Sequence, residues 1–108
     1  MPRHLLILIA ALALQAEPTI RVVWDVAGAN ILGAPTPDGR YLSCVDPASG
    51  DLALLETATG QLRRLTQKGP GAAKEFAYFS APSRDGSRVA VAWFNEAGFY
   101  DLRVAPGQ

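Results

Sequence analysis

A single cysteine, Cys44, and a single histidine, His4, are all that the 108-residue chain offers of the two side chains most used for metal binding and nucleophilic catalysis. One cysteine cannot close an intramolecular disulfide, so the fold must be held by packing. Within the apolar run "YLSCV", Cys44 reads as a small buried hydrophobe rather than a reactive or intermolecular thiol. Neither sign of charge dominates: ten Lys and Arg balance ten Asp and Glu, which removes any strong draw toward nucleic acid or an anionic membrane. The sequence also lacks a G-x-S-x-G nucleophile elbow and a G-x-x-x-x-G-K-[ST] phosphate loop. Gly28 and Gly33 have no strand–helix setting, so they do not make a nucleotide-binding loop. The longest apolar run, residues 5–14, is shorter than the roughly 20 residues that a spanning helix needs.

That run belongs to a leader. Residues 1–16, "MPRHLLILIAALALQA", place a short basic start (Arg3, His4) before the apolar stretch and small residues ending at Ala16. This is the order of a secretory signal peptide; the alternative is a buried N-terminal strand or helix. Cleavage is expected after Ala16 or, alternatively, after Ala13. The chain is accordingly expected to be exported, to the periplasm or the extracellular space, without membrane insertion once the leader is gone. Removing the leader takes Arg3 and His4 with it, leaving nine basic residues against ten acidic ones and no histidine. Any Ser-His-Asp or Cys-His mechanism, and any histidine-ligated zinc or copper, would then have to borrow that residue from elsewhere.

What is abundant is turn chemistry. Ten glycines and eight prolines favour an all-β chain. Residues 17–29 contain one leading strand, "TIRVVWDV" (19–26). Residues 30–66 read as four strands, "NILGAP", "RYLSCVD", "LALLE" and "LRRLT", separated by the turns "TPDG", "PASGD" and "TATGQ". A polar link, "QKGPGAAK" (67–74), follows. Residues 75–108 then begin the pattern again: "EFAYFSAP", turn "SRDGS", "RVAVAWF", turn "NEAG", "FYDLRV", and "APGQ" where the first copy had "ATGQ". In "TPDG", Pro37 presets the backbone, Asp38 tolerates the third turn position and Gly39 supplies the positive φ that re-enters a strand; Asp85 and Gly86 do the same in the second copy.

The two copies keep register. Pro35 to Pro82, Asp38 to Asp85, Gly39 to Gly86 and Gly60 to Gly107 are each 47 residues apart, and Gly50 to Gly98 is 48. A fixed stride of this length built from four antiparallel strands is the signature of a β-propeller blade. The continuously apolar runs "LALL" and "VAVAWF" fit strands covered on both faces by neighbouring sheets. The alternative is a β-sandwich with buried central strands, which does not usually repeat its turn sequences at fixed spacing.

The stretch "TPDGRYLS…SGDLALLETATGQLRRLT" resembles the blade repeat of TolB-like propellers, shared with tricorn protease and with the propeller domains of dipeptidyl peptidase and prolyl oligopeptidase relatives. Pro37, Asp38, Gly39, Arg40, Gly60, Leu65 and Thr66 match, with Thr36 in place of the usual serine. In the second copy Ser83, Asp85 and Gly86 match, Arg84 replaces the proline, and the final strand is missing. The resemblance implies antiparallel four-stranded propeller blades, about 1.7 of them plus the leading strand. A ring needs typically four to eight blades, so the chain is expected to be a fragment of a longer propeller, with the leading strand serving as ring closure. Alone, it would expose sheet faces and edges and self-associate rather than persist as a stable monomer.

No catalytic, cofactor or metal site is expected. Asp38 and Asp85 lie where turns favour aspartate for backbone reasons, and "DPASGD" lacks the oxygen ladder of a calcium loop. Arg63 and Arg64 are adjacent, so a strand points them to opposite faces. The aromatic residues Trp93, Phe94, Phe99 and Tyr100, with Phe76, Tyr78 and Phe79, are expected at this density in apolar strands to form the core between sheets; the alternative is that they are exposed, with Trp93, Phe94, Phe99 and Tyr100 as the candidate binding surface. The resemblance implies a non-catalytic exported module with a protein partner, in the manner of TolB. Its alternative is the propeller portion of a secreted serine peptidase of the prolyl oligopeptidase type.

Overall fold

Tight reversals set the architecture. In the computed structural model, which describes residues 19–25 and 31–107, five glycines adopt left-handed backbone: Gly39, Gly50, Gly60, Gly86 and Gly98, with φ between 72° and 85°. Each closes one of the turns read from the sequence. Between them lie β1 (Tyr41–Val45), β2 (Leu52–Glu56) and β3 (Leu62–Arg64), a 3-10 turn at Pro70–Ala72, then β4 (Phe76–Pro82), β5 (Arg88–Phe94) and β6 (Tyr100–Pro106). They form two antiparallel three-stranded sheets, in the orders β1-β2-β3 and β4-β5-β6. Among the described residues there is no α-helix.

The two sheets stack face to face. Leu52 and Leu54 of the first meet Ala77, Val89, Val91, Trp93 and Ala105 of the second, with Tyr41, Val45 and Leu65 packed around them. Burying the leucines and valines among them contributes about 1.5–3 kcal/mol each, and this layer is what joins the repeats. A polar contact crosses it where Ser80 Oγ donates to Ser43 Oγ at 2.8 Å. The opposite face of the first sheet holds Cys44, Ala53 and Leu55, covered in part by Trp24, Leu42 and Leu62. All of "LALL" is thus buried, as a doubly covered strand should be.

Several expectations need correction. Residues 19–25 of the leading segment form no strand; Arg21 Nη2 donates to the Thr57 carbonyl at 3.0 Å and Trp24 packs on the first sheet, so the segment is held by side chains without a ladder. The first sheet has three strands where four were expected. "NILGAP" contributes only a bridge, Pro35 to Leu42, because Pro35 and Pro37 carry no N–H and the Ser43 hydroxyl takes the Ala34 N–H at 3.0 Å. "LRRLT" is a strand only over Leu62–Arg64; there Leu65 N (2.7 Å) and Thr66 N (3.4 Å) converge on one Leu52 carbonyl, and the Leu52 N–H goes to Thr66 Oγ1. In the second sheet β6 runs on through Ala105 and Pro106, which were expected to start a turn. "VAVAWF" alternates between buried and half-buried residues, so it is covered fully on one face only. The signal peptide expected at residues 1–16, Val26 of the expected leading strand and the expected start of the first repeat at Asn30 lie outside the described residues.

Candidate interaction surface

The uncovered side of the second sheet is built by strand alternation. Along β5, Val89, Val91 and Trp93 are buried toward the first sheet, while Arg88, Ala90, Ala92 and Phe94 point the other way. The ladder to β6 sets Pro106, Val104, Leu102 and Tyr100 beside those four residues, and the ladder to β4 adds Ala81 beside Ala90 and Phe76 beside Phe94. In "YDLRV" the apolar residues Tyr100, Leu102 and Val104 therefore share the outer face, and Asp101 and Arg103 share the row of Trp93 and Val91. An alternating strand normally turns its apolar row to the core. Here that row stands in solvent, with Leu102 82% and Val104 60% exposed.

A β-bulge adds aromatic area. Ala77 pairs with Trp93, but the next pairing is Ser80 with Val91, so Tyr78 and Phe79 together oppose Ala92. Both flanking pairs lie in the inner row; the two extra side chains consequently share the outer face. The rings form a continuous chain: Phe76 stacks on Phe94 at 4.8 Å, Phe94 meets Tyr100 edge-on at 5.4 Å, Tyr100 meets Tyr78 at 5.3 Å, and Tyr78 meets Phe79 at 4.4 Å. Such contacts fix ring positions beyond simple burial.

The structure divides the four aromatic residues singled out in the sequence. Phe94 and Tyr100 are in this ring chain, and Phe99 is exposed in the adjoining β5–β6 turn. Trp93 lies on the opposite face at 3% exposure, its Nε1 donating to Glu75 Oε1 at 2.7 Å and its ring under the Arg103 guanidinium at 5.0 Å. It is core and forms no surface with the other three. Leu102 and Val104 were missed, although the period-2 alternation of "YDLRV" already carried the signal.

The turn residues occupy equivalent places. Thr36 N donates to the Tyr41 carbonyl and Ser83 N to that of Arg88, each at 2.8 Å; Gly39 N and Gly86 N close the turns onto the Thr36 and Ser83 carbonyls. Asp38 Oδ1 accepts from Thr36 Oγ1 at 2.7 Å and from Arg40 N at 3.0 Å. Asp85 Oδ1 accepts from Ser83 Oγ, Ser87 N and Ser87 Oγ. The Ser83 hydroxyl first, then the Ser87 amide and hydroxyl, bring the Asp85 carboxyl down to about 2. The Arg40 amide, then the Thr36 hydroxyl, lower that of Asp38. These carboxylates are ionised at neutral pH and engaged by their own turns, a poor setting for general acid–base work. Pro37, Asp38, Arg84, Asp85 and Gly86 line one small cleft of about 120 Å³ between the two turns.

A larger cavity of about 260 Å³ opens between the sheets beside Thr66, Lys68, Glu75 and Arg103. Its polar groups already bind one another: Lys68 Nζ donates to the Glu75 carbonyl at 2.7 Å, and Arg103 lies 3.7 Å from the Glu75 carboxylate. Cys44 is fully buried, and desolvation, then the nearby Asp46 charge, push its thiol up to about 11. Scans of the chain against models of protein families, curated proteins and solved structures each found no match.

Proposed function

We propose that the chain is a non-catalytic, exported protein-interaction module whose two sheets are consecutive blade-like repeats, with the outer face of β4-β5-β6 as the contact surface. The single observation that carries this reading is the inverted placement of "YDLRV", whose apolar row faces solvent while its charged residues Asp101 and Arg103 share the side of Trp93 and Val91. The aromatic chain widens the same face, and rigid rings of this kind supply contact area at small entropic cost. The matching turns at Asp38 and Asp85 and their constant stride support the blade assignment, as does the resemblance to TolB-like propellers; the leader sequence supports export.

A photo-crosslinking amino acid placed at residue 102 in the producing cells tests it. Adducts to protein are expected there, and they should disappear when Val104→Glu is added. Cross-linking at residue 102 that yields no protein adduct would overturn the reading.

A further inference from the structure

We infer that the outer face of β4-β5-β6 closes against the same face of a second copy, forming a two-fold dimer in which the two sheets pack as a sandwich. The inference rests on the reading of this face as a contact surface and names its occupant.

The repeat itself shows what such a face takes. In the first sheet Tyr41, Val45, Leu52 and Leu54 face the second sheet and are covered by it. One stride on, their counterparts are Arg88, Ala92, Tyr100 and Leu102, on the bare face. A surface of this construction is covered, within this chain, by an apolar antiparallel sheet about 10 Å away, the usual spacing of stacked sheets. A second copy brings another sheet of that kind, with its own apolar face equally bare.

Shape and charge permit like to meet like. Ala81, Ala90 and Ala92 floor a groove of about 280 Å³ walled by Phe79 and Leu102. A two-fold axis sets the large side chains of one copy over the alanine floor of the other. Arg88, at one end, is the charged residue of this face, so two copies bring no buried like charges together. Phe76, Phe79, Tyr100, Leu102 and Val104 expose on the order of 500 Å² in all. Two copies can thus bury up to about 1,000 Å², the lower end for a specific interface.

Sedimentation of the purified full chain from about 1 to about 200 µM is the test. The wild-type chain should pass from monomer to dimer, and Leu102→Glu, at a position that supports no core, should weaken dimerisation by at least about tenfold. Cross-linking of Ala90→Cys or Ala92→Cys with a bis-maleimide long enough to join facing sheets about 10 Å apart, but too short for about 14 Å, separates face pairing from pairing at the β6 edge. These residues sit on the central strand and meet their copies only when the faces meet; β6-to-β6 pairing would leave them about 14 Å apart, too far to bridge. Cross-linked dimer at either position supports the inference. A chain monomeric throughout the range, or a dimer indifferent to Leu102→Glu and to both cysteines, overturns it. The contact-surface reading then stands or falls separately on the residue-102 adducts.

Discussion

Leu54 and Leu102 stand at matching positions of the two repeats, yet Leu54 is 2% exposed and Leu102 82%. Both sit in the third strand of their copy as the sequence reads it, both follow a glycine turn with positive φ, and both project from the same side of their sheet. What differs is the neighbour. The first sheet has the second stacked on it, and Trp24 behind it; the second sheet has the first on its inner side and solvent on its outer side. Strand chemistry therefore decides where an apolar row lies within a sheet, and stacking decides whether that row is buried. An alternating strand is a statement about a partner as much as about a core.

The largest expected effect separates the two leucines. Leu54→Ala should destabilise by about 2–5 kcal/mol in urea unfolding, whereas Leu102→Ala should stay within about 0.5 kcal/mol at concentrations that keep the chain monomeric. Equal costs would erase the comparison. Gly33→Ala comes next. A Cβ there overlaps the backbone carbonyl and hydroxyl of Ser43, so the 31–35 segment must leave β1, at about 1–3 kcal/mol. A cost near zero would show that this segment contributes nothing to the first sheet.

Gly39→Ala is smaller. Its Cβ meets nothing, so only the positive φ of 72° is penalised, by about 1 kcal/mol. The pH effect refines the equivalence of the turns. Asp85 is held near 2 against an unfolded value of about 3.9, so its stabilisation is complete above the unfolded value and is lost as pH falls from about 4 to about 2. Ser83→Ala removes the leading donor and should shrink that acid loss, read from urea midpoints at the two ends of the interval. An unchanged acid loss would show that the turn hydrogen bonds do not set the Asp85 carboxyl.

The turns and the apolar strands around them were legible because Asp-Gly chemistry is local. A glycine at positive φ and an aspartate accepting from its own turn need no tertiary context, and Gly39, Gly86, Asp38 and Asp85 lie where the sequence put them. The expected first strand failed at Pro35 and Pro37, whose missing N–H groups leave a bridge in place of a ladder. The leading strand failed because β-branched composition reports a preference, and pairing needs a free edge in register. Trp93 and Phe94 were grouped by proximity in sequence, although strand period sends neighbours to opposite faces. The bulge at Tyr78 and Phe79 was not legible, since it arises from the pairing of β4 with β5 and not from either strand alone.

The most direct measurement is thiol labelling of Leu102→Cys, with native Cys44 as the buried standard in the same molecule. At submicromolar concentration residue 102 should label as fast as a free thiol peptide and slow as concentration rises, while Cys44, fully buried with its thiol pushed up to about 11, stays unlabelled throughout. Protection of residue 102 at the lowest concentration would mean that the chain already covers its own outer face, contradicting the account.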